Sequence, residues 1–115
     1  MRSRKDFPMT ARPEAQPQTL TDTEAHRITR IDFAPGAETG WHVHGFDYVI
    51  VALSECNMKL EMPDGTVNEV LLPPGRTYHR PTGVEHNVIN GGDAPMAFVE
   101  VEFKQGLDLD LLDQG

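Results

Sequence analysis

His42 and His44, two histidines separated by one residue, are the strongest candidates for chemistry in this sequence. They lie in a stretch that alternates like a β-strand, where residues two apart project from the same face about 6 to 7 Å apart. Two neutral imidazoles placed in this way can bind one transition-metal cation. The alternative interpretation is a pair of surface histidines on the polar face of a strand.

A third ligand must come from another segment of the chain. His86 follows the tight turn Pro81-Thr82-Gly83, which can bring a neighbouring strand alongside. His26 starts a predicted strand and is expected at the surface, whereas His79 is either a pocket wall or exposed. The predicted metal site therefore consists of His86 and the two closely spaced histidines.

Short strands are the elements that must position these histidines, because apolar residues recur with period two and each segment ends in a turn signal. The strands are predicted near residues 27–34, 40–45, 47–53, 57–62, 66–72, 76–80, 84–90 and 97–104. Eight short strands predict an all-β sandwich or barrel.

The last of these strands shows the clearest alternation and is predicted to have one buried and one solvated face. The predicted buried face consists of Ala97, Val99, Val101 and Phe103, and the solvated face of Glu100, Glu102 and Lys104.

Composition fits one small domain: the chain has 115 residues, and its nine prolines and ten glycines disfavour a helical bundle. Residues 1–21 are polar and interrupted by prolines, which predicts a flexible N-terminal leader. The single domain is predicted to span residues 22–104. Residues 105–115 are predicted to form an acidic C-terminal tail or an edge strand.

Charge and cysteine content limit the partners, the cross-links and the compartment that the sequence allows. Residues 31–115 carry four basic and fourteen acidic side chains, so nucleic acid and anionic membranes are not expected to bind. Cys56 is the only cysteine, which excludes an intrachain disulfide and a cysteine zinc cluster and indicates a reducing compartment. With no long apolar stretch and no apolar signal segment in the sequence, we expect a cytoplasmic location.

Two segments resemble the sequence motifs of the cupin superfamily. The second cupin motif is matched at every fixed position, by Gly75, Pro81, Gly83, His86 and Asn90. The first motif is matched by Gly36, His42 and His44. The resemblance covers residues 28–104 and is greatest to small single-domain cupins of the β-alanine-degradation type. It implies a jelly-roll barrel, the cupin double-stranded β-helix, in which the three motif histidines bind a divalent transition metal: iron, manganese, nickel or zinc.

The sequence departs from the first motif at the usual glutamate ligand, where it has Tyr48. In regular strands Asp47 and Glu85 face away from the histidines, so neither replaces that ligand without a bulge. The remaining three-histidine face resembles that of the thiol dioxygenases among the cupins. Three neutral imidazoles leave the full charge of a divalent ion, which favours an anionic ligand, with Tyr48 as a hydrogen-bond donor to it.

The pattern also predicts roles for two arginines and for two residues next to the histidines. Arg76 and Arg80 share a strand face with Tyr78, either to bind a substrate carboxylate or as surface charges. Trp41 and Val43 alternate with the histidines and are expected in the core.

These observations predict a metal-binding cupin, a dioxygenase-like enzyme acting on a small carboxylate-bearing molecule. The alternatives are a module that binds a metal or a small molecule without turnover, and a barrel that keeps the motif residues only for its fold. A homodimer is expected from the resemblance.

Overall fold

Nine strands form an all-β barrel in the part of the chain that the structure, a computed structural model, describes: residues 11–106. The strands are β1 (Gln16–Asp22), β2 (His26–Phe33), β3 (Glu38–Val43), β4 (Asp47–Ala52), β5 (Cys56–Glu61), β6 (Val67–Leu72), β7 (Thr77–Arg80), β8 (Glu85–Asn90) and β9 (Met96–Phe103). All eight predicted strands are present, and β1 is additional. No helix in these residues could span a membrane.

The strands form two antiparallel sheets that face each other. The five-stranded sheet has the order β1-β2-β9-β4-β7, and the four-stranded sheet has the order β3-β8-β5-β6. Such a double sheet is the jelly-roll architecture, so the predicted fold class is confirmed.

Apolar side chains from both sheets pack between them. Strands β4 and β5 alternate buried and half-buried positions, as the pleat of a half-buried strand requires. Phe33 and Phe98 pack with ring centroids 5.3 Å apart. The core consists of Ile31, Phe33, Ala37, Tyr48, Ile50, Ala52, Cys56, Met58, Leu60, Leu72, Val88, Met96 and Phe98.

The N-terminal segment differs from the predicted leader, because β1 pairs with β2 over Gln16–Asp22. All seven β1 side chains are exposed, so the strand is held by backbone hydrogen bonds. Its sequence therefore shows no alternation of apolar and polar residues that would predict a strand. The preceding residues pair with β3: Ala15 N donates to Glu38 O, and Glu38 N donates to Pro13 O. Residues 1–10 of the predicted leader and 107–115 of the predicted tail lie outside the described residues.

Strand β9 faces the opposite way from the prediction. Met96 and Phe98 belong to the core, Glu102 is buried, and Glu100 lines the internal cavity. Of the residues predicted to be buried, Ala97 is buried, whereas Val99, Val101 and Phe103 are half-buried. Because β9 lies between β2 and β4, side chains of these two strands flank its own side chains on both faces of the sheet. Apolar alternation therefore does not identify which face of β9 points into the barrel. The acidic face, predicted to be solvated, therefore points into the barrel.

The prediction that the residues flanking His42 on β3 lie in the core is also wrong. Trp41 and Val43 are 54% and 61% exposed and do not belong to the core. His42 points into the barrel instead, so its two sequence neighbours must project outward from the pleat.

Candidate metal centre

Three imidazoles converge at one point inside the barrel. His44 Nε2 lies 3.1 Å from His42 Nε2 and 3.0 Å from His86 Nε2. His42 and His86 are direct cross-strand partners on β3 and β8, and His44 follows β3 immediately. The structure therefore brings together the three histidines that the sequence singled out as metal ligands.

A bulge in β3 orients His42. Gly40 has a φ of 87°, a left-handed conformation that glycine adopts without strain, at the irregularity in the β3–β8 register. The bulge places Gly40 O 2.9 Å from His42 Nδ1. A carbonyl oxygen can only accept a hydrogen bond, so Nδ1 carries the proton and the Nε2 lone pair faces the other histidines.

The turn between β7 and β8 fixes His44. Gly83 has a φ of 94°, and its N–H donates to His44 O over 2.8 Å. His44 N donates in turn to Val84 O over 2.9 Å. This reciprocal pair of backbone bonds ties the end of β3 to the start of β8, and therefore ties His44 to the strand that carries His86.

Burial keeps the converging imidazoles neutral. Loss of solvation, assisted by the neighbouring histidines, lowers the pKa of His44 to about 3. Burial likewise lowers the pKa of His86 to about 4, with smaller contributions from His42 and Arg80. Near neutral pH these two rings are therefore uncharged, which is the form that binds metals.

The spacing of the nitrogens fits a metal ion. Two imidazole nitrogens 3.0 to 3.1 Å apart need a shared proton or a common cation between them, because two facing lone pairs repel. With metal–nitrogen distances of about 2.1 Å, a nitrogen separation of about 3.0 Å corresponds to ligands about 90° apart, whereas tetrahedral ligands lie about 3.4 Å apart. Around a common ion, His44 would thus lie about 90° from each of the other two donors, as in octahedral coordination, which leaves positions for further ligands.

Tyr48 occupies the position of the usual glutamate ligand and contacts His44. The two rings stack with centroids 3.8 Å apart, and Tyr48 is 1% exposed. Its hydroxyl has no hydrogen-bond partner among the described residues. Burial raises the pKa of the phenol above its ordinary value, so Tyr48 remains neutral and offers an O–H donor instead of an anionic ligand.

Glu100 is a site residue that the sequence interpretation missed. Its Oε1 lies 3.7 Å from His44 Nδ1, on the side of the ring away from the other histidines. Burial, with help from Glu102, raises the pKa of Glu100 to about 7. Arg27 pairs with Glu102 at 2.8 Å, which leaves Glu100 as the carboxyl group of β9 that faces the cavity. No local signal in a valine–glutamate alternation distinguishes an inward glutamate from a solvated one.

Other candidate residues lie elsewhere. Arg76, Arg80, His79 and Glu85 are exposed and do not line the cavity, so the arginines are surface charges. Asp47 accepts a hydrogen bond from Thr82 N at 2.7 Å, which stabilises the β7–β8 turn. Thus neither Asp47 nor Glu85 replaces the missing glutamate.

The histidines open onto an internal cavity of about 460 Å³. Glu14, Ala15 and Pro17, from the segment entering β1, line part of it. Thr39 lies beside the metal centre, where its hydroxyl is 3.3 Å from His42 Nδ1. The arrangement is that of a ligand pocket with one polar end, at which a small molecule can meet a bound cation.

Known proteins resemble this chain in sequence and structure. The cupin domain family matches residues 29–102. The β-alanine degradation protein BauB of Pseudomonas aeruginosa is 46% identical over 96 residues, covering 84% of this chain and 100% of that protein. The crystal structure of a cupin domain from Bordetella pertussis Tohama I matches with a TM-score of 0.79 and 45% identity, covering 83% of this chain and 98% of the other. The polyketide cyclase RemF of Streptomyces resistomycificus matches with a TM-score of 0.62 and 25% identity, covering 84% of this chain and 72% of that protein.

Proposed function

This chain belongs to the cupin family, and from that premise we propose a metal-dependent enzyme of dioxygenase type that acts on a small carboxylate-bearing molecule. His42, His44 and His86 would hold one divalent transition metal ion: iron, manganese, nickel or zinc. The observation that carries the proposal is the convergence of their Nε2 atoms, with that of His44 3.0 to 3.1 Å from the other two.

The chain's contribution is to present three neutral donors in fixed positions and to keep one side of them open to the cavity. A bound ion would supply Lewis acidity or the activation of dioxygen. Because no carboxylate joins the three imidazoles, the ion's charge is not reduced by its protein ligands. An anionic ligand, such as a substrate carboxylate, is therefore favoured at the open side.

Tyr48 is proposed to act on the substrate directly. Its buried hydroxyl lacks a protein partner and belongs to a ring that stacks on His44. A ligand oxygen bound beside the histidines would complete this hydrogen bond and remove the cost of an unpaired buried donor. Tyr48 thus orients the substrate and stabilises negative charge on it.

The similarity to the β-alanine degradation protein supports a small organic acid as the substrate class. The proposal is tested by oxygen uptake with iron-reconstituted protein and a panel of small monocarboxylates that includes β-alanine. Substrate-dependent consumption that is lost in His86→Ala supports the enzyme. His79→Ala, which changes an exposed histidine, is the matched control and should keep the activity.

A second candidate function is a module that binds metal and ligand without turnover. It is favoured by the neutral tyrosine in place of the usual anionic ligand, because loss of that ligand can accompany loss of catalysis. Tight ligand binding with neither oxygen consumption nor product would identify this function.

We also propose that the protein works as a cytoplasmic homodimer. A reducing compartment suits the buried free thiol of Cys56, whose pKa is raised by burial, and which donates to Ala97 O at 3.3 Å. Half-buried valines on the outer face of the five-stranded sheet suit contact with a second copy of the chain.

A further inference from the structure

The cavity beside the three histidines has a polar end and an apolar end. Strand register sets this division: along β8, His86 is followed on the same face by Val88, and along β4, Tyr48 is followed by Ile50. Val88 is also the cross-strand partner of Leu60 on β5. A ligand whose head group contacts the histidines therefore directs its remaining atoms among aliphatic side chains.

The walls of the apolar end come from both sheets. They consist of Ile31, Ile50, Met58, Leu60, Val88 and Phe98. Together with the polar end they enclose about 460 Å³, within the range of about 300 to 1,000 Å³ that is usual for small-molecule pockets. This space accommodates a body of several carbon atoms in addition to the head group.

The glutamates that line the cavity are acidic groups, and among the described residues no strongly basic side chain accompanies them. Glu14 and Glu100 line the cavity, whereas neither lysine nor arginine does so among residues 11–106. Arg80 is exposed and lies over the Tyr78 ring, 5.9 Å from its centroid. A second carboxylate on the ligand would therefore be desolvated in the cavity without a cation to pair with it.

We propose that the ligand is a monoanion whose single acidic head group binds at the three histidines and Tyr48, and whose uncharged aliphatic or aromatic body fills the apolar end. This inference rests on the proposed function, since it takes the metal centre as the site of the head group. It narrows the substrate class from small carboxylates to those with an apolar body and one acidic group.

Isothermal titration of the zinc-loaded protein with propanoate, butanoate, pentanoate and hexanoate tests the apolar end. Each added methylene is expected to tighten binding about fourfold, because each transfers apolar area out of water. Glutarate adds a second carboxylate. It is expected to bind at least about tenfold more weakly than hexanoate, since it buries a second negative charge without a cation to pair with it.

Tyr48→Phe distinguishes the contribution of the ligand's head group to affinity from the contribution of its apolar body. Loss of the hydroxyl should weaken all four unbranched acids by a similar factor, about tenfold, and leave the dependence on chain length unchanged. The substitution keeps the ring that stacks on His44, so the fold is expected to be retained.

Affinity that does not increase with chain length, or glutarate binding as tightly as hexanoate, would overturn the inference and leave the metal site intact. Failure to bind one equivalent of zinc would instead contradict the proposed function. In that case titration of metal-free protein with the same acids still tests the apolar end. Affinity that stays constant with chain length would then overturn the inference.

Discussion

Burial sets the protonation of four titratable residues at the centre, two histidines, a tyrosine and a glutamate. It lowers the pKa values of His44 and His86, so both imidazoles are neutral donors near neutral pH. It raises the pKa values of Tyr48 and Glu100, so their protonated forms are favoured beside those donors. The same loss of solvation thus lowers the pKa values of bases and raises those of acids, and both shifts favour the uncharged forms around the site.

The metal-free protein is expected to gain stability as pH rises from 4.5 to 6.5. His44 and His86, with pKa values of about 3 and about 4 in the fold against 6.5 unfolded, bind more protons in the unfolded chain over this range. Glu100, with a pKa of about 7 against 4.5, binds more in the folded chain and opposes them. Two histidines outweigh one glutamate, so the net slope is positive.

Urea denaturation of metal-free protein across this pH range measures the slope. His86→Gln removes one of the two histidine contributions and should reduce the slope by at least about half. A free energy of unfolding that is flat or falls between pH 4.5 and 6.5 would contradict these shifts.

Tyr48→Phe should leave the ligand-free protein equally stable or stabilise it by about 1 kcal/mol, because the variant removes a buried hydroxyl that lacks a partner. Thermal unfolding without ligand measures this effect. Tyr78→Phe, on the half-buried cavity wall, is the control and should change little. A loss of more than about 1 kcal/mol in Tyr48→Phe would mean that the hydroxyl has a protein partner.

At the scale of elements, two irregularities in the backbone build the centre. The bulge at Gly40 presents a carbonyl oxygen to His42, and the turn at Gly83 ties His44 to the start of β8. Regular strands alone would set the spacing along β3 without fixing ring orientation. The arrangement of the three-histidine cluster therefore depends on a bulge and a turn as well as on strand pairing.

Gly83→Ala should destabilise the fold by about 1 to 3 kcal/mol, because alanine is strained at a φ of 94°. It should also weaken metal binding about tenfold, since the turn orients His44. Gly65→Ala is the matched control, as Gly65 has a φ of 89° in the β5–β6 turn. Denaturation and metal titration of both variants test this, and equal metal affinities would show that the Gly83 turn does not orient the site.

The sequence predicted eight of the strands because their apolar periods and turn residues are local signals. It missed β1, whose exposed side chains carry no period, since this strand depends on backbone pairing with β2. It also assigned β9 to the wrong face, because Val99 and Val101 cover the outer side of the sheet while Glu100 faces the cavity. Which side of a central strand is internal depends on the opposing sheet, and that information is not local.

For the site, spacing selected His42 and His44, while the preceding turn and the second cupin motif selected His86; the three converge in the structure. Glu100 could not be found in this way, because its proximity to His44 depends on how β9 faces β3 across the barrel. The apolar end of the cavity likewise depends on packing between the sheets. Ligand residues were thus accessible from sequence, and their surroundings were not.

At the scale of the whole molecule, the outer face of the five-stranded sheet is the proposed dimer contact. Val49 and Val51 on β4 pair with Val101 and Val99 on β9, and all four are half-buried in a single chain. Because Tyr48 and Ile50 face inward, these valines project outward from the sheet. Apolar side chains that share an outer face are characteristic of interaction surfaces.

Sedimentation equilibrium at micromolar concentration is expected to give twice the chain mass of 12.8 kDa. Val51→Lys should produce monomers, because it places a charge in the apolar contact. Val43→Lys, on the exposed outer face of the other sheet, is the control and should remain dimeric. A monomeric parent protein would rule out the dimer.

The central claim, a metal held by three histidines, is tested most directly by elemental analysis. The protein is purified without a histidine tag or added metal, together with His42→Ala, His86→Ala and the exposed-histidine control His79→Ala. We predict about one equivalent of one transition metal in the parent protein and in the control, and its loss in both site variants. Absence of metal from the folded parent, even after anaerobic reconstitution with iron, manganese, nickel and zinc, would contradict the account.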